Sequence, residues 1–294
     1  MNNNAIKRVA IYAAWDKNGK VDNADISYLS ALKNCAERII YVADCNLAEK
    51  EKRKLKDICC YVEGTHHGEY DFGSYKKGFF YALRHHLLEG TEELVFANDS
   101  CFASFHPFSP IFEEMSHKQC DFWGLTLNMD FYPHVQSFFL VFRPQVFNSQ
   151  IFIDFMQKIE AQKSVDGVIH KYEIGLTQYL EENGFCKKTY IPYPYPNKLK
   201  RSNLTECPIW LINQGFPLLK KKALKFTGAN SEGVLKTYLF ARRYIKRDMN
   251  FWDVVGAYVK VFLHFLYQKK ITKHGRLMIK ICKIPVCVKR VDEK

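Results

Sequence analysis

The chain has no run of about eighteen uncharged apolar residues, the length a helix needs to cross a bilayer, so no spanning segment is expected. Cys-x-x-Cys spacing is absent, although ten cysteines are present. Cys59 and Cys60 are adjacent and several others sit in apolar runs, where a thiol serves as a small hydrophobe. That pattern argues against a disulfide framework. The opening MNNNAIKRVAIYAAWD shows no cleavage pattern behind its short apolar run, so a reducing cytoplasmic compartment is expected. Zinc-finger spacing, an RNP-like motif and a helix-turn-helix pattern are also missing, and nucleic acid is not an expected partner. Internal repeats and low-complexity tracts are absent as well.

What is present is aromatic and unevenly charged. The 294 residues are 15% aromatic and 47% hydrophobic, enough for one large domain with an appendage. The formal net charge of +12 is concentrated at one end. Residues 220–294 hold 19 Lys and Arg against 5 Asp and Glu, whereas residues 1–219 hold 24 against 26. Residues 1–228 are read as the main domain and 229–294 as a basic, amphipathic, mostly helical tail. FWDVVGAYVKVFLHFLY at 251–267, followed by Lys269, Lys270, Lys273 and Arg276, sets aromatic anchors beside cations. Such a pairing suits the surface of an anionic membrane. A helix packed on the main domain with a solvated basic face is the alternative.

The first half alternates buried strands with helical spacing. Arg8 to Ala14 reads as a first strand, Asp25 to Cys35 as a helix, and Arg38 to Ala43 as a second strand ending at Asp44. Residues 47–57 read as a charged helix, Ile58 to Val62 as a third strand and Gly78 to Leu88 as a helix, before a strand from Glu93. This is the pattern of a parallel α/β sheet. Further on, Phe122 to Leu127 and Ser137 to Arg143 read as strands, and Pro144 to Gln162 and Tyr172 to Asn183 as helices. Tyr190 to Pro196, with three prolines, is read as an extended loop.

The sharpest signal is ELVFANDSCFAS at 93–104. A strand ends abruptly at Asn98-Asp99-Ser100, placing an acid where open α/β sheets bind ligands. With it come YAAWDKNGKVDNADISYLSALK, YDFGSYKKGFFYAL, DFWGLT, HVQSFFLVFRPQVF, YEIGLTQYL and INQGFPLLKK, in order from about residue 8 to about residue 225. These blocks resemble the rhamnan synthesis protein F family of bacterial polysaccharide glycosyltransferases. The resemblance implies a GT-A-like, Rossmann-type α/β domain. It also implies an inverting transfer, such as that of rhamnose from dTDP-L-rhamnose, to a lipid-linked surface polysaccharide or lipopolysaccharide. The place implied is the inner face of the bacterial membrane, with the protein peripheral to it. Another nucleotide sugar, or a non-catalytic carbohydrate-binding role on the same scaffold, is the competing reading.

Such a transfer has three needs: a held base and ribose, a neutralised diphosphate and a deprotonated acceptor hydroxyl. For the first, Trp15, Asp16, Asp44, Asp71 and Ser74 are candidates, with Gly73 allowing close backbone approach and Lys76 and Lys77 within reach of phosphate. For the second, Asn98 and Asp99 stand where the related folds place Asp-x-Asp, with Asp99 as the ligand of Mg²⁺ or Mn²⁺. Ala97 replaces the first carboxylate, so substrate phosphates must supply other ligands. Lys220, Lys221 and Lys222 offer a metal-free route, and His134 beside Gln136 is a phosphate donor or a metal ligand. For the third, the resemblance points to Glu173 as the base, with Asp121 and Asp130 in reserve.

Overall fold

The computed structural model describes residues 6–192, 207–224, 234–245, 267–271, 276–281 and 284–290. Its body is built on one seven-stranded sheet. Strands β1 (Arg8–Ala14), β2 (Arg38–Ala43), β3 (Tyr61–Gly64) and β4 (Glu93–Asn98) are parallel to one another. Helix α1 (Asn23–Lys33), the short α2 (Glu49–Lys52) and α3 (Tyr70–Arg84) connect them. After a short β5 (Cys101–Ala103) and α4 (Ser109–Ser116) come β6 (Phe122–Gly124), β7 (Leu127–Asn128), β8 (His134–Val135) and β9 (Phe139–Phe142). Helices α5 (Pro144–Phe147), α6 (Gln150–Gln157) and α7 (Val165–Val168) follow, then a π-helical turn (Ile169–Ile174), α8 (Gly175–Glu182) and β10 (Lys187–Thr189). The sheet order is β10-β6-β9-β4-β1-β2-β3, with β9 antiparallel to both β4 and β6. A parallel nucleotide-type half thus continues through one reversed strand into a second half, the GT-A-like arrangement expected.

Every residue of β1 is buried, because helices cover both faces of a parallel sheet. The period of two sorts its side chains. Ala10, Tyr12 and Ala14 join Tyr28, Tyr41, Trp123 and Phe139 in one core, while Val9, Ile11 and Ala13 join Phe79, Phe96 and Phe142 in the other. A Cβ on Gly78 would lie 2.4 Å from Ile11 Cγ2, so the glycine lets α3 lie tight against β1. Behind β4, α9 (Pro208–Asn213) leads to β11 (Leu218–Lys220), which pairs antiparallel with β5. Helix α10 (Val234–Ile245) packs there through Tyr238, Ala241 and Ile245.

Several boundaries differ from the sequence reading. Helix α3 starts at Tyr70, eight residues before Gly78, because a tightly bonded turn at 66–69 launches it. The stretch 144–162 is two helices, since the Ser149 hydroxyl caps a new one at the Phe152 N–H, 3.1 Å away. The tail expected to be mostly helical over 229–294 holds strands at its end: β12 (Tyr267–Ile271), β13 (Arg276–Ile281) and β14 (Ile284–Arg290) form an antiparallel sheet. Ile279, Ile281, Ile284, Val286 and Val288 make these short runs rich in β-branched residues, which favour strands over helix. The aromatic stretch 251–266 lies outside the described residues, as does the proline-rich 193–196. No described helix is long and apolar enough to cross a membrane, and Cys35, Cys45, Cys59, Cys60, Cys101, Cys120 and Cys186 form no disulfide.

Candidate functional site

Strands β1, β2 and β4 end side by side, and a cleft of about 690 Å³ opens beyond their C-terminal ends. Trp15 and Asp99 lie where β1 and β4 stop, Asp44 where β2 stops, and Asp71 on the first turn of α3. Ser137, Glu173 and Lys222 line the far side. A second hollow of about 480 Å³, between Leu83, Gly90 and Pro144, lies at the start of β4. That is the end of a parallel sheet where ligands are not expected.

At the end of β4 the Asp99 Oδ2 accepts the Trp15 N–H at 2.8 Å, and the Asp99 N–H reaches Ala13 O at 3.0 Å. Asn98 turns the other way and donates from Nδ2 to Asp71 Oδ2 at 2.6 Å. Ser100 Oγ donates to Asn98 Oδ1, and Lys220 Nζ donates to Ser100 Oγ at 2.9 Å while lying 4.6 Å over the Phe138 ring. A lysine on β11 is thereby linked through a serine and an amide to the Asp71 carboxylate. Burial and the Asp71 charge push the Asp99 carboxyl up to about 7, against the pull of Lys221. Burial also raises Asp71 above its ordinary value, against Lys220 and Asn98. Behind them the buried Asp25 is pushed up to about 8 by burial and by Asp22. Asp99 and Asp71 thus stand close together in the cleft, each raised by burial.

Glu173 faces this group from the π-helical turn, an element that recurs at functional sites. Its Oε1 lies 3.3 Å from His134 Nε2, and its Oε2 accepts the Ser137 N–H at 3.2 Å and the Ser137 hydroxyl. His134 Nδ1 lies 2.7 Å from Tyr132 O, and a carbonyl only accepts, so Nδ1 carries a proton. Burial raises the Glu173 carboxyl, but His134, Ser137 and Lys220 outweigh it and hold the group below its ordinary value. Glu173 is therefore charged at neutral pH.

The structure sets the other candidates against protein partners. His134 is fully buried and spends both nitrogens on protein, so it orients Glu173 and reaches no phosphate. Gln136 is buried and accepts the Thr126 hydroxyl at 3.0 Å, tying Gln136 to the residue before β7. Ser74 is buried against His67 Nε2 at 3.1 Å. Lys76 pairs with Glu69 at 2.5 Å and donates to Ile159 O at 2.7 Å, and Lys77 pairs with Glu63 at 3.0 Å. Gly73 makes room for protein: a Cβ there would lie 2.2 Å from Glu69 Cβ. Asp16 accepts the Asn18 and Lys20 N–H groups at 2.8 and 3.1 Å, the chemistry of a turn. Asp121 precedes β6, which runs in the direction of β4, so it sits at the opposite edge of the sheet and there accepts the Cys186 N–H at 2.7 Å. Asp130 shapes the turn between β7 and β8, its N–H 2.9 Å from Asn128 Oδ1.

Tyr70 and Ser137 are among the cleft residues that the sequence reading does not name as site residues. An aromatic directly before a helix-opening acid, and a hydroxyl just ahead of a buried strand, were the available signals. Among the described residues no three His, Cys, Asp or Glu side chains converge on a point that could hold a metal ion.

The family described as Rhamnan synthesis protein F matches residues 39–288. A curated relative, virulence protein VirA of Vibrio anguillarum, is 27% identical over 296 aligned positions, which cover 88% of this chain and 91% of that protein. Among solved structures, a 4-diphosphocytidyl-2C-methyl-D-erythritol synthase from Anaerococcus prevotii is 13% identical with a TM-score of 0.38, covering 65% of this chain and 90% of that one. A glycosyltransferase involved in glycosylation of the major capsid of PBCV-1 is 7% identical with a TM-score of 0.33, covering 62% and 81%.

Proposed function

The chain belongs to the rhamnan synthesis protein F family, and from that premise we propose that it is a glycosyltransferase moving a sugar from a nucleoside diphosphate to a saccharide acceptor. The observation that carries this reading is a single cleft holding Trp15, Asp71, Asp99, Glu173 and Lys222 beyond the ends of three parallel strands. Trp15 offers a face to the nucleotide. Asp99 and Asp71 alone would repel a diphosphate, so the cleft needs positive charge when the donor is bound. Mg²⁺ or Mn²⁺ at Asp99 supplies that charge, and Lys222 and Lys220 add to it. Glu173, held charged and oriented, takes the proton of the acceptor hydroxyl as it attacks.

The donor in this reading is dTDP-L-rhamnose and the acceptor a lipid-linked surface glycan, with inversion at the anomeric carbon. The test is a thermal-shift panel of dTDP-rhamnose, UDP-sugars and GDP-sugars with Mg²⁺ or Mn²⁺. A donor at a hundred times its Kd raises stability by about 2.7 kcal/mol, and slow release of free nucleoside diphosphate should accompany binding. A protein that no nucleotide sugar stabilises would not be a transferase of this kind.

The acceptor brings a membrane with it. The surplus of basic residues beyond Lys220 supports docking on an anionic inner leaflet, each Lys or Arg contributing on the order of 1 kcal/mol near the surface. The full chain should sediment with anionic liposomes and release them as salt rises. Sedimentation that ignores lipid charge would make the basic end a packed part of the protein instead.

A further inference from the structure

Residues 66–70, His66-His67-Gly68-Glu69-Tyr70, are held from beneath with unusual thoroughness. Asp44 Oδ1 accepts the His67 and Gly68 N–H groups at 2.7 and 2.8 Å, and Oδ2 accepts the Tyr70 N–H at 3.2 Å. His66 Nδ1 lies 2.9 Å from Oδ1. The nearly buried His67 accepts the Glu69 N–H at Nδ1, 3.1 Å, so its proton is on Nε2, which donates to Ser74 Oγ at 3.1 Å. Gly73 lets the loop rest on the helix, since a Cβ would meet the His67 ring at 2.8 Å. The outcome is Tyr70 at φ 57°, a left-handed backbone that a bulky L-residue adopts only when its surroundings impose it.

This constraint does not serve burial, because Tyr70 remains 37% exposed on the wall of the cleft, which Trp15, 59% exposed, also lines. We infer that Tyr70 and Trp15 form the subsite for the planar base of a nucleotide, and that Asp44 is a positioning residue acting through Tyr70. The Asp44 carboxylate spends Oδ1 on three donors of this turn and gives Oδ2 to the Tyr70 N–H, so holding the turn is its first task. Stacking on an aromatic face tolerates any base, so the subsite supplies affinity, while the choice among bases falls to other groups. The inference rests on the glycosyltransferase reading above.

Calorimetric titration of the full chain with dTDP, UDP, GDP and inorganic pyrophosphate tests it. Tyr70→Ala should weaken the preferred nucleoside diphosphate by roughly 5- to 100-fold, the range of one lost base stack, and leave pyrophosphate unchanged. Tyr70→Phe should keep wild-type affinity. Asp44→Asn should also weaken the nucleotide selectively, and should add little further loss when combined with Tyr70→Ala. Nucleotide affinity insensitive to Tyr70→Ala, or a parallel loss of pyrophosphate, overturns the subsite while the transferase reading stands. A wild-type protein that binds none of the three nucleotides overturns both.

Discussion

Asp99→Asn should lower sugar transfer by at least about 10²-fold while raising thermal stability. The catalytic half of the expectation is electrostatic: a charged group aimed at the leaving diphosphate through a cation contributes that order of rate. Asparagine keeps an oxygen to accept the Trp15 N–H, now met at 2.8 Å, so the junction of β1 and β4 survives. The stability half follows from crowding. A carboxyl held at about 7 in the folded protein and near the ordinary value when unfolded binds more protons folded than unfolded between those two limits. Stability therefore falls as pH rises through that window and levels off above it. The asparagine variant escapes this loss, so its advantage in Tm, a few degrees by general mutational experience, should grow from about pH 4 to about pH 7 and then stay constant. Calorimetric scans across pH, beside a transfer assay, check both halves. Unimpaired transfer by the folded variant would take Asp99 out of the reaction, and a Tm gain independent of pH would dismiss the crowding.

Glu173→Gln should cost roughly a hundredfold or more in turnover with donor affinity almost unchanged. The amide fits the same surroundings. Its oxygen can accept from Ser137, and its NH₂ can donate to His134 Nε2, which is a bare acceptor whenever Nδ1 alone carries the proton for Tyr132 O. What is lost is the ability to take a proton. The pH profile gives a second readout. A base must be unprotonated to act, so the rate is lost as pH falls through its value in the enzyme. His134 and Ser137 help to hold Glu173 below the usual glutamate range, so the acid limb of kcat should lie below that range too. Ser137→Ala removes one donor and should move the limb upward. Turnover untouched by the glutamine would reduce Glu173 to a clasp between the π-helical turn and β8.

The sequence by itself determined the framework. Short unbroken apolar runs such as Val9 to Ala14 and Leu94 to Ala97, bounded by polar turn residues, read as strands covered on both faces, with the polar residues that follow them at the strand ends. That logic placed Trp15 and Asp99 at one edge of the sheet before any coordinates, and the ordered motifs named the family. Short elements were illegible for a physical reason. A strand of two to four residues, like β7 or β9, is specified by partners distant in the chain, as when Val95 meets Val141, and it carries little periodicity of its own. The same holds for the side chains. Nothing local distinguishes Asp71, open to the cleft, from Asp121 at the opposite edge, or Lys222 from Lys76, which Glu69 neutralises. Composition names the chemistry available, but which charges are spent on protein and which remain for a ligand depends on distances between residues tens of positions apart. Only the tertiary structure decided those, setting Asp44 under the turn at 66–70, Gly73 against Glu69 and His134 against Glu173.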